Sequence, residues 1–587
     1  MARTAATLLF VMVWLSFLQA QPSTNIQLNQ AGFYTHAPKI AVVTSPAQSG
    51  IFYLLSADKK DTLYKGILSA PENSAYSSTA TSIADFSAFS AAGVYILFVP
   101  DAGYSYPFNI SNDIHRALSA ASLKSYYYQR MSMPILPQYA GKWARAGGHP
   151  DKEVLIHPSA ASGKRPAHTV ISSPGGWYDA GDYNKYIVNS GITMCTLLTA
   201  YEDFPLYFDT LQTNIPETGN GLPDIINETL YNLRWMLTMQ DPNDGGVYHK
   251  CTNAAFDKMI MPAGCHNPRY VVQKSTAAAL DFAAVMAQAS RILVSFKKQL
   301  PGLNDSCLHA AQYAWHWAKQ NPAVLYDQRA MNALYQPAVT TGAYGDNNIK
   351  DEWFWAACEL LATTGKEAYI QEILHYRPAV AAIPSWNNVA ALGSYTLLRY
   401  KNTLSKYRQL NLPAIEQQVI DLAGSLVGNG GNRAFRTIMG QSKKDFIWGS
   451  NAVAMNQGIV LINAYLLTKD KHYIAAALTN ADYIMGRNAT GFCFVTGMGS
   501  RSPVHIHHRL SVADGITQPI PGLLAGGPNP GMQDKCKYVF TEPETAYTDT
   551  DCSYASNETA INWNAPLVYV SGALEALQYE LAYSVRK

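Results

Sequence analysis

The chain has 587 residues, of which 48% are hydrophobic and 15% charged, and its formal net charge is +2. This composition excludes a disordered protein, and the length suffices for two or more domains with a large core. The near-neutral charge and the lack of a long basic run argue against nucleic-acid binding. The 37 Tyr and 11 Trp suit either a helical core or stacking against sugar rings. Composition alone favours the first explanation, that these aromatic residues pack a helical core.

The first twenty residues have the pattern of a signal peptide. Arg3 precedes an apolar run from Ala5 to Leu18, and the segment closes on the small residue Ala20. The run is shorter than the roughly 20 apolar residues that a membrane span needs. We therefore expect cleavage after Ala20, a secreted or periplasmic protein and no membrane association afterwards. A membrane anchor is the alternative.

Short strands are predicted for residues 24–108, among them 39–43, 51–55 and 94–99, because β-rich runs alternate there with Gly, Pro, Ser and Asp clusters. This spacing predicts a small β-sandwich. From about residue 112 the period becomes helical, and the clearest helices are predicted at 117–130, 225–239, 275–293, 352–363, 389–400, 451–467 and 566–583. With weaker candidates between them, these helices predict an α/α barrel over residues 113–587 whose long loops form a cleft at one end.

Four of the eight cysteines lie in pairs within loop-like stretches. Cys251 shares one stretch with Cys265, and Cys536 shares another with Cys552. Eight cysteines in a chain of this length do not form a disulfide scaffold. Export would nevertheless permit a disulfide in either stretch.

Two carboxylates lie three residues apart in the segment 175–186, which reads GGWYDAGDYNKY. Glycine lets the backbone approach a ligand closely, and the nearby carboxylates of Asp179 and Asp182 can hold one water and take its proton. A calcium loop is the alternative, since Asp-x-x-Asp also suits a hard cation. The surrounding aromatic residues and the lack of further acidic ligands weaken that alternative.

Two later segments carry further polar chemistry. Glu558 lies just before the last predicted helix, among side chains that can contact a sugar, Tyr554 among them. Its alternative role is that of a first-turn glutamate favoured by the helix dipole. The segment 503–509 holds three histidines and Arg509 without an acidic or cysteine partner nearby, so it suits sugar hydroxyls at least as well as a metal.

The order of motifs along the chain resembles that of the family 9 glycoside hydrolases, mostly cellulases, in the subgroup with an N-terminal immunoglobulin-like domain. The resemblance covers almost the whole mature chain. Besides the two carboxylate segments it rests on NQAGF at 29–33, IPE at 215–217, NGLPD at 220–224, KST at 274–276, TGAYGD at 341–346, DE with WAA at 351–357 and DFIWGSN at 445–451. So many ordered matches are specific to the family.

The resemblance implies an (α/α)6 barrel and a secreted endo-β-1,4-glucanase that inverts the anomeric carbon. Asp182 matches the family's general base, Asp179 the residue that orients the water, and Glu558 the general acid. An inverting enzyme needs two carboxyls roughly 6.5–9.5 Å apart. The acid must stay protonated, which requires a pKa raised by burial or by a neighbouring carboxylate.

The resemblance also implies a substrate cleft. His507 and Arg509 match residues that contact substrate, and Trp386 and Trp448 resemble aromatic residues that line the cleft. An exo-acting β-glucosidase, cellobiohydrolase or glucosaminidase of the same family is the alternative, and a glucan-binding module without activity is another. We expect a β-glucan partner, a monomer, and an N-terminal domain that braces the barrel.

No cofactor is expected for the chemistry, and the structural metals divide into two cases. Many relatives hold a zinc through a Cys after Tyr-Gln-Arg and a later Cys-His pair, but here Met131 and Gly148 replace both cysteines. His149, even with His157 or His168, then predicts no zinc. Calcium is expected instead.

The candidate calcium ligands are Asp346, Asp351 and Glu352, which follow a Gly-rich turn and offer hard oxygen atoms. The alternative is that Asp351 caps a helix. A separate feature is the sequence Asn557-Glu558-Thr559, a glycosylation sequon around the expected acid. A glycan on Asn557 would block the cleft.

Overall fold

A computed structural model describes residues 22–44 and 49–585. The predicted signal peptide lies outside the described residues. The N-terminal part consists of β-strands up to Ile110, and the long helices begin at Arg116. The predicted order of a small β domain followed by a helical domain is confirmed.

The N-terminal domain is a sandwich of two sheets. One sheet has the strand order Ile26–Gln27, Ile40–Val43, Ala80–Asp85, Glu72–Asn73, and the other has the order Gly32–Phe33, Phe108–Ile110, Gly93–Val99, Ile51–Ser56, Thr62–Ile67, with Gly103–Tyr104 also paired to Gly93–Val99. The pairing is antiparallel except between Phe108–Ile110 and Gly32–Phe33. Between the sheets, the ring of Phe33 makes edge contacts with Phe86 and Phe108 at 5.3 and 5.4 Å.

The helical domain is a double ring, which confirms the predicted (α/α)6 barrel. The inner helices are Ile187–Asp203, Thr276–Leu293, Lys350–Thr364, Ala390–Arg399, Ser450–Thr468 and Ile561–Leu577, and the outer helices that pack on them are Arg116–Gln129, Asp224–Thr238, Leu303–Gln320, Ile370–Tyr376, Leu412–Gly428 and Lys471–Ile484. The inner helices are buried on nearly every face because Ala, Gly and apolar residues fill them, whereas Leu303–Gln320 buries one stripe.

One described helix, Thr276–Phe296, is long and apolar enough by composition to cross a membrane, but 89% of its most apolar window is buried inside the protein. The predicted helices are all present. The largest error concerns the last, predicted at 566–583 and observed at Ile561–Leu577. Pro566 lies within this helix rather than at its start, so one interior N–H donor is missing there.

A small sheet beside the barrel was not predicted. Its strand order is Val170–Ile171, Val154–Ile156, Arg269–Val271, Lys250–Asn253, Lys185–Tyr186. The last strand directly follows Asp182, so the sheet fixes the direction in which the chain leaves the two carboxylates. These strands contain two to four residues, too few for an alternating pattern to show in the sequence.

Buried polar contacts join the N-terminal domain to the barrel. Asn29 Nδ2 donates to Asp482 Oδ1 at 2.7 Å, and the Tyr34 hydroxyl donates to Glu575 Oε1 at 2.7 Å. A buried hydrogen bond to a charged group contributes about 1.5–3 kcal/mol. The contacts support the expectation that this domain braces the barrel, which stays a prediction.

Candidate active site

The loop that carries Asp179 and Asp182 is tied to the last inner helix. The Asp179 N–H donates to the carbonyl of Asn184 at 3.1 Å, and the Asp179 carbonyl accepts from the Ile561 N–H at 2.8 Å. Ile561 is the first residue of its helix, so the loop is linked to the chain just after Glu558. Residues remote in sequence are thereby held at one end of the barrel.

The carboxylate of Asp179 is buried and accepts two hydrogen bonds. Asn189 Nδ2 donates to Oδ1 at 2.6 Å, and the Tyr344 hydroxyl donates to Oδ2 at 2.7 Å. Burial, and then the nearby charge of Asp182, raise the pKa of Asp179 to about 8. The sequence did not predict Tyr344 or Asn189 here, although Tyr344 belongs to the TGAYGD motif.

The carboxylate of Asp182 is held through one oxygen. Asn184 Nδ2 donates to Oδ2 at 2.5 Å, and the Tyr186 hydroxyl donates to the same oxygen at 3.1 Å. Both partners come from the few residues that follow, so the local fold of this loop orients the carboxylate. Oδ1 is then the oxygen that can take a proton from a water molecule.

Glu558 faces this loop across Gly181. A methyl group placed on Gly181 would lie 3.2 Å from Glu558 Oε1. The Glu558 backbone is fixed because its carbonyl accepts from the Gly526 N–H at 2.8 Å. Burial raises the pKa of Glu558 well above its usual value, and the charges of Asp182 and Asp179 raise it further. The structure therefore brings the three predicted carboxyl groups together and favours a protonated Glu558.

Aromatic side chains lie on one side of the carboxyl groups. Trp448 is 41% exposed, and its ring lies 5.2 Å from that of Tyr554, which in turn lies 5.9 Å from the His507 ring. Burial lowers the pKa of His507, so its imidazole is neutral near pH 7. Its Nδ1 lies 2.5 Å from the carbonyl oxygen of Asp551. The ring of Trp448 is therefore available to stack on a sugar ring, with Tyr554 and His507 beside it.

Trp386 lies on the Tyr344 side of the carboxyl groups. Its ring packs edge-on against Tyr344 at 5.2 Å, and Tyr344 donates to Asp179. Trp386 is thus linked to Asp179 through Tyr344, and Trp448 and Tyr554 are linked through His507 to the backbone of Glu558. That these four residues bind substrate stays a prediction.

Arg509 supports the catalytic loop. Its Nη1 donates to the Gly181 carbonyl at 2.8 Å, and its Nε donates to the Asp257 carbonyl at 2.9 Å. The Phe256 ring, 47% exposed, lies 5.4 Å from the guanidinium. Phe256 was not predicted, since an isolated Phe in a long loop gives no signal in one sequence. The guanidinium therefore positions backbone, and Phe256 adds an exposed aromatic face.

The candidate calcium ligands lie in a buried acidic cluster that also contains Asp281. Both carboxylate oxygens of Asp281 and of Glu352 lack a hydrogen-bond partner, as do Asp346 Oδ2 and Asp351 Oδ1. Burial raises the pKa of Asp281 and of Glu352 well above their usual values, and the neighbouring carboxylates add to it. A bound cation would satisfy these oxygens, so the donor set suits calcium by its chemistry. In the part of the chain that the structure describes, no three of these carboxylates bring ligand atoms within 4.8 Å of one another, so binding would require them to move closer. Asp281 was missed, although a lone carboxylate within the apolar run 277–289 is a signal.

The relatives' zinc ligands do not fit at the matching positions. A side chain on Gly148 would meet the Pro262 backbone at 2.4 Å, and Met131 Sδ lies 3.9 Å from Arg269 Nη2. The two ring nitrogens of His157 contact Ser159 Oγ and the Pro337 carbonyl. His168 is exposed.

The double helical ring, with three carboxyl groups together at one end, is an arrangement that can hydrolyse a glycosidic bond. The description "Glycosyl hydrolase family 9" matches residues 115–571, and "Cellulase N-terminal ig-like domain" matches residues 21–104. The chain belongs to glycosyl hydrolase family 9. The predicted family is thus confirmed, and the chain is a glycoside hydrolase.

Three relatives show how far the similarity extends. The chain is 47% identical over 566 residues to the xyloglucan-specific endo-beta-1,4-glucanase BoGH9A of Bacteroides ovatus, covering 96% of this chain and 95% of that protein. It is 32% identical to endoglucanase D of Acetivibrio thermocellus, covering 94% and 83%. A solved structure of Bacteroides ovatus GH9 superposes with a TM-score of 0.90 at 46% identity, covering 95% of this chain and 100% of that one.

Proposed function

We propose that this chain is an endo-β-1,4-glucanase that hydrolyses its substrate with inversion. Asp182 acts as general base, Asp179 orients the attacking water, and Glu558 acts as general acid. The observation that carries the proposal is the position of Glu558, whose pKa is raised well above its usual value, opposite Asp182 across Gly181. A protonated carboxyl and a tethered carboxylate are the two groups that inverting hydrolysis needs.

The proposed reaction has two proton transfers. Asp182 Oδ1 takes a proton from the water as its oxygen attacks the anomeric carbon, and Glu558 gives its proton to the departing glycosidic oxygen. Asn184 and Tyr186 hold the other oxygen of Asp182, which fixes the direction of attack. Burial of Glu558 keeps the proton that the leaving sugar requires.

Internal cleavage is supported by two separate groups of aromatic side chains near the carboxyl groups. Trp448 and Tyr554 are linked to Glu558 through His507, and Trp386 is linked to Asp179 through Tyr344. We infer that a sugar chain contacts both groups and extends beyond the bond that is cleaved. The names of two relatives, the xyloglucan-specific endo-beta-1,4-glucanase and endoglucanase D, agree with a β-1,4-linked glucan backbone as the substrate.

Viscosity and product analysis test this function. On xyloglucan, mixed-linkage β-glucan and carboxymethyl cellulose, we expect viscosity to fall well before much reducing sugar appears. Proton NMR of the first products is expected to show the α-anomer, as inversion requires. Release of one short sugar at constant viscosity would identify the exo-acting alternative, and initial β-anomer would exclude inversion.

We propose further that the protein is exported and processed after Ala20. The signal-peptide pattern of residues 1–20 supports this proposal. The disulfide between Cys536 and Cys552 supports it as well, because disulfides persist in oxidising compartments. Cys251 and Cys265, the other pair for which the sequence permits a disulfide, are free thiols.

We also propose a structural calcium ion bound by Asp346, Asp351 and Glu352, with Asp281 as the additional ligand. Purified protein is expected to contain about one calcium per chain and to melt at a lower temperature after dialysis against EGTA. Asp281→Asn is expected to lose the ion, because this side chain is fully buried with both oxygens unpaired.

Asp305→Asn is the matched control, since Asp305 is exposed on an outer helix. It should retain calcium and the wild-type melting temperature. The same melting temperature for the wild-type protein with calcium and with EGTA, together with calcium below about a tenth of an equivalent, would contradict the proposal.

A further inference from the structure

Three metal-ligating side chains from separate parts of the chain meet beside the cleft. One ligand atom each from His149, Asp257 and Cys265 lie within 4.8 Å of one another. The three residues are buried, with 4%, 8% and 8% of their surfaces exposed. We propose that they bind a transition-metal ion, zinc in the first instance, with water as the fourth ligand. Three protein ligands and one water make a common tetrahedral arrangement for zinc.

The histidine is oriented as a ligand. Its Nδ1 lies 3.1 Å from the Tyr178 hydroxyl, which fixes the ring. Its Nε2 lies 3.4 Å from Asp257 Oδ2 and contacts no other polar atom at hydrogen-bond distance. A second contact that fixes the ring of a ligating histidine is typical of metal sites. Burial lowers the pKa of His149, so the ring is neutral and Nε2 can donate its lone pair.

The carboxylate of Asp257 and the thiol of Cys265 are also held in place by the surrounding structure. Asn267 Nδ2 donates to Asp257 Oδ1 at 2.8 Å, and Asn253 Nδ2 donates to Oδ2 at 3.1 Å. Cys265 is a free thiol directly after the turn Pro262–Gly264. Burial raises its pKa to about 12, so Cys265 carries its proton when no metal is bound. When the sulfur–metal bond forms, the S–H bond breaks and the proton leaves to solvent. Thiolate and carboxylate then neutralise the dication.

This ligand set differs from the one in the relatives. Only His149 is common to both sets, because Met131 and Gly148 occupy the positions of the relatives' cysteines. The expectation of no zinc considered only the partners near His149 in the sequence. In the fold, a different thiol and a carboxylate reach the histidine from residues more than one hundred positions away.

A metal ion at this site would link two segments of the chain that lie next to the carboxyl groups. The Asp257 carbonyl accepts from Arg509 Nε, and the Ile260 carbonyl accepts from the Tyr183 hydroxyl at 2.9 Å. Tyr183 belongs to the segment of the catalytic carboxylates, and His149 contacts Tyr178 of the same segment. A metal ion would therefore fasten the exposed loop around Phe256 to that segment.

Metal analysis tests the proposal without an activity assay. Purified protein is stripped with a chelator, incubated with zinc sulfate and calcium chloride and dialysed, after which zinc and calcium are measured in the same digest. We expect about one zinc per chain for the wild-type protein and less than about a tenth of that for Cys265→Ser. Cobalt(II) loading is expected to give a thiolate-to-cobalt charge-transfer band in the wild-type protein but not in Cys265→Ser.

Cys307→Ser is the matched control, because Cys307 is also a buried free thiol but lies on the outer helix Leu303–Gln320. It should keep both the zinc and the cobalt band. Asp257→Asn provides a second variant in case Cys265→Ser does not fold, and circular dichroism identifies which variants are folded. Wild-type zinc below about a tenth of an equivalent, or equal zinc in the folded ligand variants, would overturn the proposal. Calcium should be unchanged throughout.

Discussion

Glu558→Gln is expected to lower kcat on a soluble β-glucan by about 10³-fold, within the range that general acid catalysis contributes. Glutamine keeps the shape of the side chain and leaves the backbone bond from Gly526 intact, but it has no proton to give to the leaving oxygen. The fold should not suffer, because the change removes a carboxyl whose charge is repelled by Asp182 and Asp179. Initial rates and thermal melting measure the two effects.

The chemistry of the leaving group distinguishes the acid from the base. An aryl cellobioside with an acidic phenol needs little protonation when it departs, so Glu558→Gln should recover much of its rate on that substrate. Asp182→Asn is the matched variant, and it should stay inactive because every substrate needs an activated water. Equal losses for both variants on both substrates would reject the assigned division of roles. A near wild-type rate of either variant on glucan would reject the site.

Gly181→Ala is expected to lower kcat by about 10²-fold and to destabilise the protein by about 1–3 kcal/mol. The added methyl carbon would lie 2.3 Å from the His507 carbonyl oxygen and 3.0 Å from His507 Cδ2. The oxygen belongs to the backbone, so no rotamer change relieves the overlap. His507 pairs with Glu558, and the displacement therefore moves the acid relative to Asp182.

Gly163→Ala is the control for this substitution. Gly163 lies in a loop of the same domain, and a methyl group there would meet nothing within 4 Å. Both variants lose the same backbone freedom in the unfolded chain, so the comparison isolates the overlap. Activity and melting temperature are measured for both. A Gly181→Ala enzyme that matches Gly163→Ala in both would show that the loop can move aside without effect.

The predicted and the missed helices do not divide by amphipathic period. Ser450–Thr468 was predicted from its long apolar run although it is buried on nearly every face, and Leu303–Gln320 was missed although it buries one stripe, because polar and charged residues break its apolar run. Ile187–Asp203 was missed because Asn189, Ser190 and Thr193 are buried beside its apolar residues. Burial on every face removes the amphipathic pattern that identifies a helix. The helices alone predicted an α/α barrel, and the (α/α)6 form came from the order of motifs, which is a resemblance rather than a physical derivation.

The three carboxyl groups could be proposed from the sequence because each lies in a short motif rich in glycine or asparagine. The residues that contact these carboxyl groups could not be proposed from the sequence. Asn189 and Tyr344 bind Asp179 from an inner helix and a distant loop, and Asp281 joins the acidic cluster from the middle of an apolar helix. Contacts of this kind depend on how the rings close, and no local pattern encodes them.

Asn557, the sequon residue beside Glu558, is fully buried in the structure. Its amide nitrogen donates to the His505 carbonyl at 2.8 Å and to Asp549 Oδ1 at 3.1 Å. That nitrogen is the atom to which an oligosaccharide would be attached, so a folded molecule cannot be modified there. In a secretory pathway with N-glycosylation, modification of Asn557 would depend on whether the oligosaccharide transferase reaches the chain before this loop folds. A chain that folds first keeps a bare, working acid, and a chain that is modified first cannot close the loop.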